Sequence, residues 1–347
     1  MYKRKLIVLI SLIGIGIGTY FMFNFYNIFF FNNTVFKNKY SYVFIDFDDT
    51  MDSLKIQLEP LLKSSQNFLI AAEKKGYSQN IKPGKYRLLK GSGNNDLINI
   101  LRSKRQTVKV IFNNQERIEN LAKRVSSQIA ADSSSLMDAF YDTSFIESNG
   151  FSKENILAMY LPNSYDFFWD TTAEVFRKKM FNNYQQFWNK DRLKKAKAHN
   201  LSPIDVYILA SIVQKESPKE DEQLRVAAVY LNRLAKRMKL QADPTVIYAL
   251  KKESNDFDQV IKRVLLKDLK ISSLYNTYKN KGLPPGPIAM PDISTIEAVL
   301  SAEKNTYLYF VADPSKPGYH LFAKNLRQHK RNKQLYINWI NKKKIYR

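Results

Sequence analysis

The carboxyl group of Glu216 has the sequence surroundings of a catalytic acid. It lies near the end of the run ILASIVQKES, residues 208–217, and Ile204, Ile208 and Ile212 precede it at intervals of four. Residues four apart share one face of a helix, so Glu216 projects from nearly the face that the isoleucines bury. Partial burial and the negative end of the helix dipole both raise the pKa of such a carboxyl group. It can then donate a proton to a leaving oxygen near neutral pH.

A purely structural Glu216 is the alternative. The carboxylate could lie in solvent at the end of the helix, or it could pair with Lys215 or Lys219. Most carboxylates at such positions are structural, and the helix by itself favours this interpretation. The choice between the two roles therefore depends on residues elsewhere in the chain.

The helix that carries Glu216 has clear sequence boundaries. Ser202 can cap its first turn, and Pro203 fits the first helical position. Pro218 disfavours helical geometry at the residue before it, so the helix should end close to Glu216. The sequence predicts a helix over residues 203–216.

Three downstream segments could complete a cleft around this carboxyl group. An amphipathic helix from about Asp221, with an apolar stripe for the core, is predicted by the segment EDEQLRVAAVYLNRLAKRM. Asp243, which precedes Pro244 in LQADPTVIYAL, suits a turn or a helix cap but could equally line a cleft. The loop YNTYKNKGLPPGPIAMP, residues 275–291, carries rings and amides that suit a sugar chain, although a structural proline-rich loop has a similar composition.

The remaining segments must hold these residues in place, and they mix strands with helices. Residues 40–112 predict the order strand, helix, helix, strand, helix, strand, within 42–47, 54–62, 67–75, 81–89, 94–105 and 107–112. Residues 115–200 are predicted to be mainly helical, with a loop or strand end over 159–170. The predicted fold class is therefore α+β.

The N-terminus predicts a membrane anchor. Residues 6–31 carry no charge, and this run exceeds the roughly 20 residues that a bilayer core requires. Basic residues at positions 3–5 precede it, so the positive-inside rule places residues 1–5 in the cytoplasm and the rest of the chain outside. A cleavable signal peptide is the alternative, but the run ends in three phenylalanines and has no A-x-A-like site. We therefore expect retention as a single-pass anchor in the cytoplasmic (inner) membrane.

Composition limits the chemistry that this chain can perform. The 347 residues are 44% hydrophobic and 25% charged, with a formal net charge of +23, and they include no cysteine. Disulfides, thiolate metal sites and a cysteine nucleophile are thus excluded. His199, His320 and His329 are far apart and indicate local hydrogen bonding rather than a shared metal, so we expect neither a metal nor a cofactor.

The positive charge would attract anionic lipid, nucleic acid or an acidic wall polymer, although a lysine-biased genome explains it equally well. Because the body of the protein is expected outside the cytoplasm, nucleic acid is not an expected partner.

An ordered series of motifs resembles a known family. Six motifs occur in a fixed order: LASIVQKES, VYLNRL, LQADPTVIYAL, YNTYKNKGLPPGPIAMP, YLYFVAD and HLFAKNLRQH. They are similar to segments of the endolytic murein transglycosylases, the MltG or YceG-like family. The resemblance covers residues 40–340. It implies a cytoplasmic tail (1–5), a transmembrane helix (6–31), a small LysM-like subdomain (40–112), a helical connecting region (113–200) and a mixed, mainly helical catalytic domain (201–347).

The resemblance also implies a reaction and a set of site residues. Glu216 matches the catalytic glutamate of the family, whereas Gln214 stands where many members carry a further Glu and cannot act as an acid. Residues expected to bind substrate are Asn232, Gln241, Asp243, Tyr275, Asn276 and Thr277. The implied activity cleaves the β-1,4 bond between N-acetylmuramic acid (MurNAc) and N-acetylglucosamine (GlcNAc) within nascent peptidoglycan strands. It leaves a 1,6-anhydro end and would terminate strand elongation, with peptidoglycan synthases as candidate partners.

In the implied mechanism Glu216 first donates a proton and then accepts one from the C6 hydroxyl of the muramic acid. Two alternatives stay open. A lysozyme-like hydrolase would use Glu216 with Asp243 and a water molecule. A non-catalytic, membrane-tethered scaffold would only bind peptidoglycan.

Overall fold

Two units divide the computed structural model, which describes residues 2–343. Of the described residues, the first unit comprises 2–110, 128–131 and 165–172, and the second comprises the remainder. The fold is mixed α+β and mainly helical.

The N-terminal helix α1 (Tyr2–Phe30) is long and apolar enough to cross a membrane, with a mean hydropathy of 2.3 over its most apolar window. A signal sequence near the N-terminus can meet the same criteria of length and composition. Phe29, near its end, is buried in the core of the first unit, so the helix continues directly into folded protein.

The first unit contains the predicted order of strands and helices. Its further elements are β1 (Tyr40–Ile45), α2 (Met51–Leu58), a 3₁₀ turn (Glu59–Leu61), α3 (Ser65–Lys74), β2 (Gly84–Leu89), α4 (Asn94–Ser103), β3 (Arg105–Phe112) and β4 (Asn163–Phe168), the last two of which extend a little beyond it. The strands form one sheet in the order β1-β2-β3-β4. β1 and β2 are antiparallel, and their inward residues Val43, Ile45, Tyr86 and Leu88 pack on α2, α3 and α4.

Local sequence explains the element ends in this unit. Thr50 caps α2 through a reciprocal pair of hydrogen bonds with Ser53. β1 ends at Ile45, two residues before the predicted end, because the carboxylate of Asp49 accepts a hydrogen bond from the backbone of Asp46 and turns the chain.

The second unit contains the site. Its helices are α5 (Ile118–Ser126), α6 (Ser133–Phe140), α7 (Thr143–Ser148), α8 (Ala173–Phe187), α9 (Lys190–Ala198), α10 (Pro203–Glu216), α11 (Glu220–Ala235), α12 (Asp243–Ser254), α13 (Ile293–Leu300) and α14 (Leu326–Lys342), with 3₁₀ turns at Ile156–Met159 and Asp268–Lys270. An antiparallel hairpin joins β5 (Tyr309–Ala312) to β6 (His320–Ala323). The buried helix α10 packs against α11, α12 and α13.

The second unit extends to both sides of residue 200, and the predicted domain bounds stay a prediction. Most of residues 113–200, predicted as a separate connecting region, belongs to the second unit. Trp188 and Ala196 are buried in the same core as Ile212 of α10, so the segment forms part of one hydrophobic cluster with the helix that carries the site.

Candidate active site

Glu216 lies in a cleft, at the C-terminal end of α10. The cleft has a volume of about 220 Å³. The described residues that line it come from α10, α11, α12, the hairpin and two loops: Glu216, Tyr230, Arg233, Leu240, Gln241, Asp243, Tyr278, Phe310, Val311, Ala312 and His320. The side chain of Glu216 is half-buried, so it faces the cleft while protein atoms surround most of it.

Helix α10 has the boundaries that the sequence predicts, and they fix the position of Glu216. Ser202 and Asp205 form a capping box at its start, and Pro203 is its first residue. The helix ends at Glu216, and Ser217 adopts an extended conformation before Pro218.

The turn after Glu216 is fixed by buried hydrogen bonds. The hydroxyl of Ser217 donates to Oε2 of Glu222 at 3.1 Å and accepts from the backbone N–H of Lys219. The side-chain amide of Gln223 donates to the carbonyl of Ser217 at 3.0 Å. Ser217, Glu222 and Gln223 are all buried, so α11 is held in a set position relative to the carboxyl group of Glu216.

Burial raises the pKa of the Glu216 carboxyl group toward neutral pH. Desolvation is the main cause that raises its pKa, and the negative charge of Asp243 adds to the rise. The hydroxyl of Tyr230, which donates to Oε1 at 2.7 Å, lowers this pKa, as do the charges of His320 and Arg233. The resulting pKa is about 7, so Glu216 can both donate and accept a proton near neutral pH.

Asp243 faces the same cleft from the start of α12. It is the first residue of the helix, and Ala242, rather than Asp243, occupies the cap position. Its Oδ1 accepts a hydrogen bond from the hydroxyl of Tyr278 at 2.5 Å. Gln241, also in the lining, has a φ of 52°, a left-handed conformation that is uncommon for a residue with a side chain. Strain of this kind is often found at functional sites.

A histidine and a buried carboxylate complete the polar surroundings. Oε1 of Glu222 accepts from the backbone N–H of His320, and Oε2 lies 2.7 Å from Nδ1 of the same residue. Burial would raise the pKa of Glu222, but the hydrogen bonds and charge of His320 outweigh it and hold the pKa below its usual value. His320 is thus firmly oriented at the wall of the cleft.

The structure places the predicted substrate-binding residues in two groups. Gln241 and Asp243 line the cleft with Glu216. Asn232 lies on a different surface, where its amide donates to the carbonyls of Asn305 and Tyr307.

The other three residues, Tyr275, Asn276 and Thr277, are buried in the loop 275–291. Tyr275 packs against Tyr248, the amide of Asn276 donates to the carbonyls of Leu269 and Ile271, and the Thr277 hydroxyl accepts from the backbone of Ala242. These contacts hold the loop against α12 and the residue before it. Direct substrate binding by Asn232, Tyr275, Asn276 and Thr277 stays a prediction.

Gln214 has a structural role away from the cleft. Its side-chain oxygen accepts from the backbone N–H of Asp292 at 2.5 Å and from the hydroxyl of Thr295 at 3.2 Å. Its amide donates to Oδ2 of Asp292 at 2.9 Å. Gln214 therefore ties α10 to the start of α13.

Sequence reasoning missed four titratable residues of the described lining: Tyr230, Arg233, Tyr278 and His320. Tyr230 and Arg233 lie in the motif VYLNRL, from which only Asn232 was predicted. Their spacing of three places them on one helix face, which differs from that of Asn232, so helical periodicity within the motif could have identified them. Tyr278 follows the predicted residues of its loop directly, whereas no local signal places His320 beside α11.

The arrangement combines a carboxylic acid poised near neutral pH, a tyrosine that stabilises its ionised form, and a histidine with an oriented ring. It can donate a proton to a leaving group and accept one from a nucleophile within the same small space.

Comparisons with known proteins agree on one family. The model of the YceG-like family matches residues 43–335. A protein of Bacillus subtilis (strain 168) named endolytic murein transglycosylase is 41% identical over 177 residues, which are 50% of this chain and 46% of that protein. One of the same name from Streptococcus pneumoniae (strain D39) is 35% identical over 142 residues, which are 41% of this chain and 25% of that protein. The matches thus span less than half of each relative.

The crystal structure of a putative YceG-like protein from Listeria monocytogenes superposes with a TM-score of 0.54 at 26% identity. The superposition covers 84% of this chain and 98% of that one.

Proposed function

The chain belongs to the YceG-like family, and from this premise we propose that it is a peptidoglycan lytic transglycosylase. The substrate would be the β-1,4 bond between MurNAc and GlcNAc within a glycan strand, and the product would be a 1,6-anhydroMurNAc end. The observation that carries the proposal is the position of Glu216: its half-buried carboxyl group lines a cleft and accepts a hydrogen bond from Tyr230 at 2.7 Å, and burial raises its pKa.

Glu216 performs the first chemical step. Its protonated carboxyl group donates to the glycosidic oxygen as positive charge develops at C1 of the muramic acid. The hydroxyl of Tyr230 stabilises the carboxylate that forms, because a hydrogen bond to a charged acceptor is stronger than one to a neutral acceptor.

The attacking group in the second step belongs to the substrate. The C6 hydroxyl of the same sugar closes on C1, and its proximity replaces the activated water of a hydrolase. In the simplest form of the mechanism its proton goes to the Glu216 carboxylate, which returns the acid to its starting state.

A lysozyme-like hydrolase is the second candidate, and the presence of Asp243 in the cleft supports it. A second carboxylate is the usual means of activating water or forming a glycosyl intermediate. In this chain Asp243 accepts a hydrogen bond from Tyr278, which supports a role in shaping the cleft and in raising the pKa of Glu216. The two mechanisms differ in their products, since hydrolysis yields reducing ends.

The setting of the enzyme forms a further part of the proposal. Helix α1 would anchor the protein in the cytoplasmic membrane, with residues 1–5 inside and the cleft outside, since its length and hydropathy suit a single span. The β1-α2-α3-β2 unit would serve as a LysM-like module that binds glycan, which its order of elements and antiparallel strands support. Glycan synthases that supply nascent strands are proposed as partners.

Glu216→Gln tests the proposal. This variant keeps an acceptor for Tyr230 but has no proton to donate, so release of product from uncrosslinked glycan strands should fall by at least about a hundredfold. Binding of the strands, measured by co-sedimentation, should persist. Unchanged activity would exclude Glu216 as the acid, and a wild-type protein that binds but releases no product would support a scaffold instead.

A further inference from the structure

We propose that His320, oriented by Glu222, is the base that takes the proton of the attacking hydroxyl, so that Glu216 has to act only as the acid. The inference rests on the proposed function and refines its second step. It replaces a single carboxylate with an acid and a base that face one cleft.

The contacts of Glu222 fix the ring of His320 in orientation and in tautomer. Glu222 is 2% exposed, and its two oxygens bind the backbone N–H and Nδ1 of His320, each at 2.7 Å. Because a carboxylate can only accept, Nδ1 carries the hydrogen in this contact. In the neutral ring the other nitrogen, Nε2, then has a free lone pair and is the atom that can accept a proton.

The hairpin holds His320 at the wall of the cleft. His320 pairs with Ala312 across β5 and β6, and both residues line the cleft that contains Glu216. The ring of Phe310 packs edge-on against the imidazole at 5.0 Å and also packs against Tyr230, the partner of Glu216. The side chain of His320 is 15% exposed, so most of the ring is covered and a small part of it is accessible.

The other polar groups in the described lining are less suited to accept a proton. Arg233 on α11 only donates, to the carbonyls of Leu308 and Leu240. Tyr230 and Tyr278 stay protonated, since burial raises the pKa of both hydroxyls.

Glu216 and Asp243 are the carboxyl groups of the described lining, and Glu222 lies outside it. Asp243 on α12 is hydrogen-bonded to Tyr278, and Glu216 on α10 must begin the reaction protonated. Glu222, next to the histidine, is buried and bound to Ser217 and His320. His320 is therefore the remaining group of the described lining that offers an unprotonated ring nitrogen as a proton acceptor.

The step is balanced in atoms and electrons. The O–H bond of Glu216 breaks, and its proton passes to the glycosidic oxygen as the C1–O4 bond breaks. A lone pair of the C6 oxygen forms the new bond to C1. The O–H bond of that oxygen breaks, its electron pair stays on the oxygen, and its proton passes to Nε2 of His320. The site ends with a Glu216 carboxylate and a His320 imidazolium, and solvent returns the proton from the histidine to the carboxylate.

This assignment predicts the shape of the pH profile. In the active form Glu216 carries a proton and His320 does not. The apparent pKa values of the profile therefore belong to the pair of residues. A base that must be free of its proton adds an ascending limb to the kcat/KM profile at low pH, and ionisation of the acid Glu216 gives a descending limb above about pH 7. A mechanism that uses Glu216 alone has only the descending limb.

His320→Asn is the direct test. Its side-chain amide can still donate to Glu222, but it cannot accept a proton. We expect kcat/KM for anhydro product to fall by about a hundredfold or more. The ascending limb should disappear, and the descending limb should persist. His329→Asn is the matched control, because His329 stacks on Tyr309 and is not among the described residues of the cleft.

Glu222→Gln supplies a second variant that keeps the packing. It removes the negative charge beside the imidazolium, so the ascending limb should move to lower pH. Two results together would overturn the role of His320 and leave the proposed function intact. The wild type would form anhydro ends with only a descending limb in its pH profile, and the kcat/KM of His320→Asn would lie within a few-fold of the wild-type value. A wild type that forms no anhydro ends would overturn the proposed function itself.

Discussion

Removal of the Tyr230 hydroxyl should make Glu216 a weaker acid by a measurable amount. In the structure this hydroxyl donates to Oε1 at 2.7 Å and favours the ionised carboxylate. A hydrogen bond to a charged group contributes about 1.5–3 kcal/mol, and part of it survives when the carboxyl group is protonated. If about 1.4 kcal/mol of the difference is lost in Tyr230→Phe, the pKa of Glu216 rises by about one unit.

The assay for this prediction is a ratio of rates. With a pKa of about 7 for Glu216 in the wild type, kcat/KM should fall steeply between pH 7 and pH 8.5, both on the descending limb, and with a pKa about one unit higher in Tyr230→Phe the fall between the same two pH values should be several-fold smaller. The ratio is independent of any uniform loss of rate. Product release from uncrosslinked strands at the two pH values measures it.

Asp243→Asn is the control of opposite sign. It keeps an acceptor for Tyr278 but removes the negative charge that raises the pKa of Glu216, so the descending limb should move to lower pH. A limb that stays in place in Tyr230→Phe, or that moves downward, would refute the assignment of the limb to Glu216.

Three further predictions concern stability, the structural glutamine and the anchor. Because folding raises the pKa of Glu216 from 4.5 to about 7, its contribution to the free energy of unfolding should decline as pH rises through that interval. In urea unfolding, Glu216→Gln should therefore be more stable than the wild type above pH 7, by at most about 3 kcal/mol, and equally stable below pH 4. Gln214→Glu should fail to restore activity to Glu216→Gln in the product-release assay, since residue 214 faces the start of α13. The full-length protein should stay with membranes after alkaline carbonate extraction if α1 is retained, whereas release would indicate a cleaved signal sequence.

Much of the fold could be predicted because its local signals are strong. The helix α10 begins at Pro203 and ends at Glu216 as the cap and the two prolines indicate. The strand, helix, helix, strand order of the first unit also follows from local patterns of apolar and turn residues. Both cases depend on interactions between residues close in sequence.

The site was less predictable because its contacts join distant segments. Glu216 was identified from its own helix and its motif, but the hydrogen bond between Glu222 and His320 spans 98 residues and leaves no periodic pattern. The residues Asn276 and Thr277 lie in a recognisable motif, yet the structure uses them to hold the loops together. Motif membership alone therefore does not separate residues that face a substrate from residues that support them.

The chemical nature of the newly formed chain ends tests the central claim most directly. Wild-type protein should be incubated with uncrosslinked glycan strands and the products measured by mass spectrometry, with Glu216→Gln in parallel. Intramolecular closure predicts muramic acid ends that are lighter by one water than reducing ends, and none from the variant. Reducing ends from the wild type would contradict a lytic transglycosylase and favour a hydrolase that uses Glu216 with Asp243.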